Sequence, residues 1–269
     1  FPNLEAKSIE LFGIKIWALR FPSVVAGILT VLGLFLLARK LFNWQIAAIA
    51  SYFLAISSWH VTYSRLGLAE IMVPLILVWA FYFFWRGLSS GQLIFFGLSG
   101  AIWALGLYAH SIFRLMPLAL LLILWSYWRA IKKDFAYEKY DHVRHEIVRG
   151  FCLLLVAFIL VSLPIGFYFY RFPGDFWNQT QKSIFASEDF IQKIGSNLVQ
   201  IWQTFYEVLP WPVWVFFIAG LLRSFVKLFR AKREHGHLST VQTLVLSWFF
   251  IGLVPLFFSN NTSDYALVI

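Results

Sequence analysis

Charge is scarce in this chain. Only 13% of its 269 residues are Asp, Glu, Lys or Arg, against about a quarter in soluble domains. So few charges cannot cover a water-facing surface, which excludes a soluble globular domain. Cysteine is nearly absent: Cys152, inside an apolar run, stands alone. An internal disulfide is excluded, a thiolate metal site has no second ligand, and Cys152 reads as a small buried apolar residue. The sequence also lacks a Walker motif, a GxGxxG, an HExxH and a Gly-x-Ser-x-Gly, so nucleotide-dependent chemistry is not indicated. Phe1 stands where a methionine would, and neither a basic n-region nor a cleavage site follows, so the start is not a signal peptide. Both ends stop in mid-pattern, and the expectation is a fragment truncated at both.

What is present is hydrocarbon. Hydrophobic residues make up 60% of the chain and mean hydropathy is +0.73. They come as long continuous runs, not the segments of about 10 alternating residues of a membrane β-barrel. The expected fold class is therefore all-α and polytopic: about eight transmembrane helices with amphipathic helices on the outer face. In Leu4–Trp17, Ile9, Phe12 and Ile16 lie at i, i+3 and i+7 and predict an interfacial helix. The spans follow at about 21–38 (Pro22 in its first turn), 46–58, 71–85, 93–108, 115–128, 150–170, 208–222 and 238–258. The second is short and either tilts or continues through the polar residues after it. A five-residue turn at 87–91 separates the third from the fourth, and 171–207 is the longest polar loop. The whole chain reads as one membrane module, with 1–20 the end of an outer loop.

Lysine and arginine set the orientation. Fourteen of the 22 fall in the loops 39–45, 86–91, 129–149 and 223–237, and eight on the other side; the 13 acids divide five to eight. The first side carries the entire net charge of +9 and the second is neutral. The basic side is the cytoplasmic one. The net charge is thus a topology signal and implies no nucleic acid.

The outer side then collects the unusual residues. Foremost is the stretch from Ser58 to Glu70, with His60, Tyr63, Arg65 and Glu70. A carboxylate at the edge of hydrocarbon is costly and is usually paired or functional. Glu70 can bind a divalent cation or pair with Arg65, and Arg65 can grip a lipid phosphate with its planar fork. The bland alternative is an ion pair that anchors a helix end. A second outer turn offers Tyr108, His110 and Arg114, and the long outer loop adds Arg171 and Lys182. Two turns on one face, each with Arg and His, favour an anionic ligand.

Taken in order, several motifs resemble the bacterial GT-C glycosyltransferases, the protein-mannosyltransferase-like and aminoarabinose-transferase-like enzymes. They are Trp17-Ala18-Leu19-Arg20-Phe21-Pro22-Ser23, Ser57-Ser58-Trp59-His60 with Tyr63-Ser64-Arg65 and Glu70, Leu107-Tyr108 with Arg114-Leu115-Met116-Pro117, and Tyr170-Arg171-Phe172-Pro173. The resemblance implies an inverting membrane glycosyltransferase of the cell envelope, mannosyltransferase-like, in the bacterial plasma membrane. It would take its sugar from a polyprenyl-phosphate donor and act on the outer face. In that family the base is an aspartate early in the first outer loop, which places it upstream of Phe1, so no catalytic residue is expected within the fragment. Glu70 matches the second acidic position, linked to a metal or the donor phosphate, though the family commonly has aspartate there. Arg65 falls near the donor phosphate by the same resemblance, Arg114 and Arg171 less closely.

Two other classes fit a polytopic chain: a transporter or flippase of a lipid-linked substrate, and a non-catalytic scaffold. A transporter should carry charged residues at mid-membrane and broken helices there; here the charges stand at span ends. The sugar and the acceptor are not legible.

Overall fold

Inside a bilayer the backbone has no water to bond, so apolar runs close their own hydrogen bonds as helices. The computed structural model describes residues 1–109, 113, 141–180, 199, 218–223 and 226, and every regular element among them is helical. Two compact units divide the chain, Phe1–Ser111 with His145–Arg171, and Ile112–Arg144 with Phe172–Ile269. In the first, α1 (Pro2–Phe12) precedes α2 (Ile16–Leu41), α3 (Trp44–Ile56) and α4 (Ser58–Leu66). A 3-10 turn at Ala69–Ile71 leads into α5 (Met72–Ser90), followed by α6 (Leu93–Ala109) and α7 (Asp141–Arg171), of which His145–Arg171 belongs to this unit. In the second unit α8 spans Pro173–Thr180. The helices Ile16–Leu41, Ala69–Ser90 and Val148–Arg171 are long and apolar enough to cross a membrane, and α3 with α4 makes a bent fourth. The fifth and eighth predicted spans, and most of the seventh, lie outside the described residues.

Several boundaries differ from those expected, each for a local reason. The first helix stops at Phe12 because Gly13 turns the chain at φ 82° and donates its N–H to the Ile9 carbonyl. Ile16 therefore belongs to α2, not to an amphipathic face of α1. The second begins at Ile16, five residues before the predicted span, which leaves Pro22 inside the helix. Proline has no N–H, so the carbonyl four residues earlier, Ala18, loses its helical partner. The Ser8 hydroxyl donates to that carbonyl instead, and both residues are buried. One hydrogen bond thus satisfies the proline defect and seats α1 on α2. The expected turn at 87–91 is also mostly helix. The Ser89 and Ser90 hydroxyls bond the Arg86 carbonyl, and the reversal waits for Gly91 at φ 69°. Of the expected loop 129–149, residues from Asp141 onward are already helical.

The core of this unit lies between α2, α5, α6 and α7. Bilayer hydrocarbon is as apolar as a leucine, so helices associate there through close packing and small residues. Gly33 on α2 faces Val78 and Trp79 of α5, and an added Cβ would meet Val78 at 2.7 Å. Trp79 Nε1 donates to the Leu29 carbonyl at 3.1 Å, and Ser99 Oγ of α6 donates to the Ala80 carbonyl of α5 at 2.9 Å. Phe84, Phe96 and Phe151 interlock with centroids about 6 Å apart, two of the three pairs edge to face. Gly100 brings α6 against the backbone of α7, where a Cβ would clash with the Leu154 carbonyl. Cys152 is exposed on α7 rather than buried. Much of α7 turns large side chains such as Ile159, Leu160 and Phe167 outward, as a lipid-facing helix must.

Candidate functional site

The polar stretch that follows the second apolar run folds as a separate helix. Ser57 is extended, its N–H donating to the Leu54 carbonyl and its own carbonyl accepting from the Val61 N–H, and α4 leaves α3 at 57°. Gly67 ends α4 in the left-handed region at φ 77°, which glycine occupies at no steric cost. The same position is crowded. A Cβ there would lie 3.4 Å from Glu5 Oε1 and 3.9 Å from Arg20 Cγ, so α1, α2 and the end of α4 converge on this turn.

The inner face of α4 packs on α2 through another glycine. A Cβ on Gly27 would meet the Ser64 Cβ at 2.7 Å and His60 Nε2 at 3.6 Å. His60 is buried, and its Nε2 lies 3.1 Å from the Gly27 carbonyl oxygen. A carbonyl only accepts, so Nε2 carries the hydrogen, and Nδ1 is enclosed with no hydrogen-bond partner among the described residues. The Tyr63 ring packs on Trp59 with centroids 5.2 Å apart. His60 therefore holds α4 to α2 rather than projecting to the surface.

The outer face carries the charge. Arg65, in the last turn of α4, lines an open notch of about 680 Å³ together with Lys15, Arg20, Ile14, Ile16, Trp17 and Val24. All three cations are exposed, and among the described residues none of them makes an ion pair. No carboxylate lines the notch. Such a cluster, half walled by apolar side chains, attracts an anion at the membrane edge. Arg65 and Glu70 are not joined by a hydrogen bond or ion pair, so the anchoring pair that the sequence leaves open does not form.

Glu70 lies in the 3-10 turn that opens α5. One carboxylate oxygen, Oε2, is enclosed and has no hydrogen-bond partner among the described residues. A buried unpaired carboxylate oxygen costs free energy unless a ligand or ion completes it. No group of three His, Cys, Asp or Glu that could hold a metal occurs among the described residues. Glu70 alone suits a hard cation held mostly by a substrate phosphate, as Mg²⁺ often is, and does not suit a protein-built cage.

The remaining expected residues lie elsewhere or outside the described part. The Tyr108 hydroxyl donates to the Val161 carbonyl at 2.8 Å and clamps α6 to α7. Arg171 is exposed at the end of α7. His110, Arg114 and Lys182 lie outside the described residues. Three residues now join the site that the sequence reading passed over. They are Lys15, Arg20 and Glu5, none of which the sequence singles out as a site residue. Their grouping depends on the turn at Gly13 and the fold-back of α4, neither of which has a periodic signature.

A family model described as dolichyl-phosphate-mannose-protein mannosyltransferase matches residues 4–140, just over half of the chain. No curated protein and no solved structure matches it.

Proposed function

The chain belongs to the dolichyl-phosphate-mannose-protein mannosyltransferase family, and from that we propose that it moves a sugar from a polyprenyl-phosphate donor to an acceptor at the outer membrane face. Membership makes it a membrane glycosyltransferase with a lipid-linked donor. The donor type, the face and the stereochemistry are our reading. The observation that carries it is the notch of Lys15, Arg20 and Arg65, three cations that make no ion pair among the described residues, at the end of a membrane helix with no lining carboxylate.

In the reaction the bond between the sugar C1 and the phosphate oxygen breaks, and a bond from an acceptor oxygen to C1 forms. The acceptor's proton passes to a carboxylate base, and the lipid phosphate departs with the bonding electrons. The departing phosphate gains charge as the bond breaks, so cations already in place lower the barrier without reorganising. Arg65 offers a planar fork for two phosphate oxygens, while Lys15 and Arg20 add point charge and donors around it. Glu70 would hold a divalent cation through its open oxygen, and the cation would supply further charge neutralisation at the phosphate. Inversion follows from a single displacement, with the base aspartate expected upstream of Phe1. Residues 21–38, 71–85 and 150–170 hold no charged side chain, which favours chemistry at the surface over passage of a charged substrate through the bilayer.

The test is sugar transfer by the full-length protein in proteoliposomes with a labelled polyprenyl-phosphate sugar. Glu70→Ala should remove transfer while membrane insertion and helix content persist. Undiminished transfer by that variant would rule out its part in holding phosphate or metal.

A further inference from the structure

Two residues of α4 straddle one residue of α2. A Cβ on Gly27 would meet the Ser64 Cβ at 2.7 Å and stand 3.6 Å from His60 Nε2. Ser64 follows His60 on the same face of the helix, about one turn on, so α2 and α4 cross at Gly27. Across that crossing His60 Nε2 donates to the Gly27 carbonyl at 3.1 Å. Arg65 comes directly after Ser64, about 100° further around α4, which carries it off the buried face and into the notch. On α2, Val24 lies one turn before Gly27 and lines the notch with Arg65. The crossing and the cation are thus about one helical turn apart.

We infer that His60 is a positioning residue for Arg65: its hydrogen bond to Gly27 sets the roll of α4 and so holds the guanidinium at the donor phosphate. The inference rests on the transferase reading for what Arg65 grips. The shortness of α4 is what calls for such a device. It has nine residues and lies between two breaks, extended Ser57 and left-handed Gly67, so neither neighbouring helix passes its own roll on to it. A roll of about 30° would carry a side-chain tip about 6 Å from the axis through about 3 Å, a full hydrogen-bond length. Displacement on that scale undoes charge placed in advance for a departing phosphate.

Stability alone does not account for an imidazole here. The gain from the Nε2 bond is offset by Nδ1, which is enclosed with no hydrogen-bond partner among the described residues. A phenylalanine ring would fill similar space and enclose no polar atom. What the imidazole adds is direction, since a hydrogen bond weakens steeply off its axis whereas apolar packing is non-directional.

The experiment separates reach from ring. His60→Gln places an amide nitrogen where Nε2 stands, His60→Asn reaches only as far as Nδ1, and His60→Phe keeps a ring without a donor. In proteoliposomes of the full-length protein, kcat/KM for a labelled polyprenyl-phosphate sugar should fall about ten-fold in His60→Phe and His60→Asn. His60→Gln should keep most of the parent value, and the thermal unfolding midpoints of all three in detergent should stay close to the parent's. In an Arg65→Ala background, His60→Phe should cause no further loss. A second readout needs no turnover. Spin labels on Leu66→Cys and Ser90→Cys, both exposed positions, in a full-length chain whose other cysteines are replaced, report where the end of α4 stands relative to the far end of α5. Their distance distribution should be narrow in the parent and in His60→Gln, and broader in His60→Phe. Additive losses with Arg65→Ala, a His60→Gln variant as impaired as His60→Phe, or one distance distribution for all three would each overturn the positioning role. If Arg65→Ala transfers at the parent rate while the distance still broadens in His60→Phe, His60 positions Arg65 and the transferase reading of the notch fails.

Discussion

Arg65 and His60 sit five residues apart on one short helix and do opposite things. His60 turns inward to the Gly27 carbonyl, while Arg65 turns outward to the notch. From the sequence alone both were candidates for phosphate, since both are polar residues in one island. Only the fold-back of α4 distinguishes them, and that depends on Ser57 and Gly67 rather than on either residue. Arg65→Lys keeps the charge and loses the fork. Donor kcat/KM should fall about ten-fold, the effect of losing one charge-assisted bond of about 1.4 kcal/mol, with insertion and thermal stability unchanged. Turnover at the wild-type level would make Arg65 an anchor for the end of α4. Glu70 was legible as unusual because a carboxylate begins an apolar run. Its open Oε2 was not, since that needs the surrounding packing.

At the scale of elements, apolar run length located the helices well: α6 and the body of α5 lie where hydropathy placed them. Boundaries shifted wherever a side chain could replace a backbone partner, a trade that hydropathy does not register. Pro22 is the clearest instance. Read as a first-turn proline it should mark the start of a span, yet α2 runs past it because Ser8 supplies the missing donor. The two residues are therefore coupled. Ser8→Ala should cost about 1–3 kcal/mol by leaving the Ala18 carbonyl unbonded in a buried place. In a Pro22→Ala background the restored N–H takes over that carbonyl, and the same substitution should cost much less. A double-mutant cycle from unfolding in detergent measures the difference. Additive costs would mean that the Ser8 hydroxyl does not stand in for the donor that Pro22 lacks.

For the whole molecule, the lysine and arginine count predicts which side each loop faces. α2 ends at Arg39 and Lys40, α5 carries Arg86 near its end, and the notch lies at the opposite end of α2. In a Cys152→Ser background, Ile14→Cys should react with a membrane-impermeant maleimide from outside intact cells, and Ser90→Cys should react only after permeabilisation. The reverse pattern would place the notch in the cytoplasm and end the outer-face reading. The break at Ser57 has a further consequence at this scale. α3 alone has 13 residues, about 20 Å of helix, while a bilayer's hydrocarbon is about 30 Å thick. With α4 turned aside by 57°, the lipid beside this pair must thin, or the pair must tilt, and either response carries an elastic cost that grows with bilayer thickness. Membrane thickness is thus a mechanical input to the geometry of α4, and through Arg65 to the notch. Transfer should fall as the phospholipid acyl chains of the proteoliposomes are lengthened stepwise, with insertion held constant, and a flat profile would show that the break is relaxed within the protein itself.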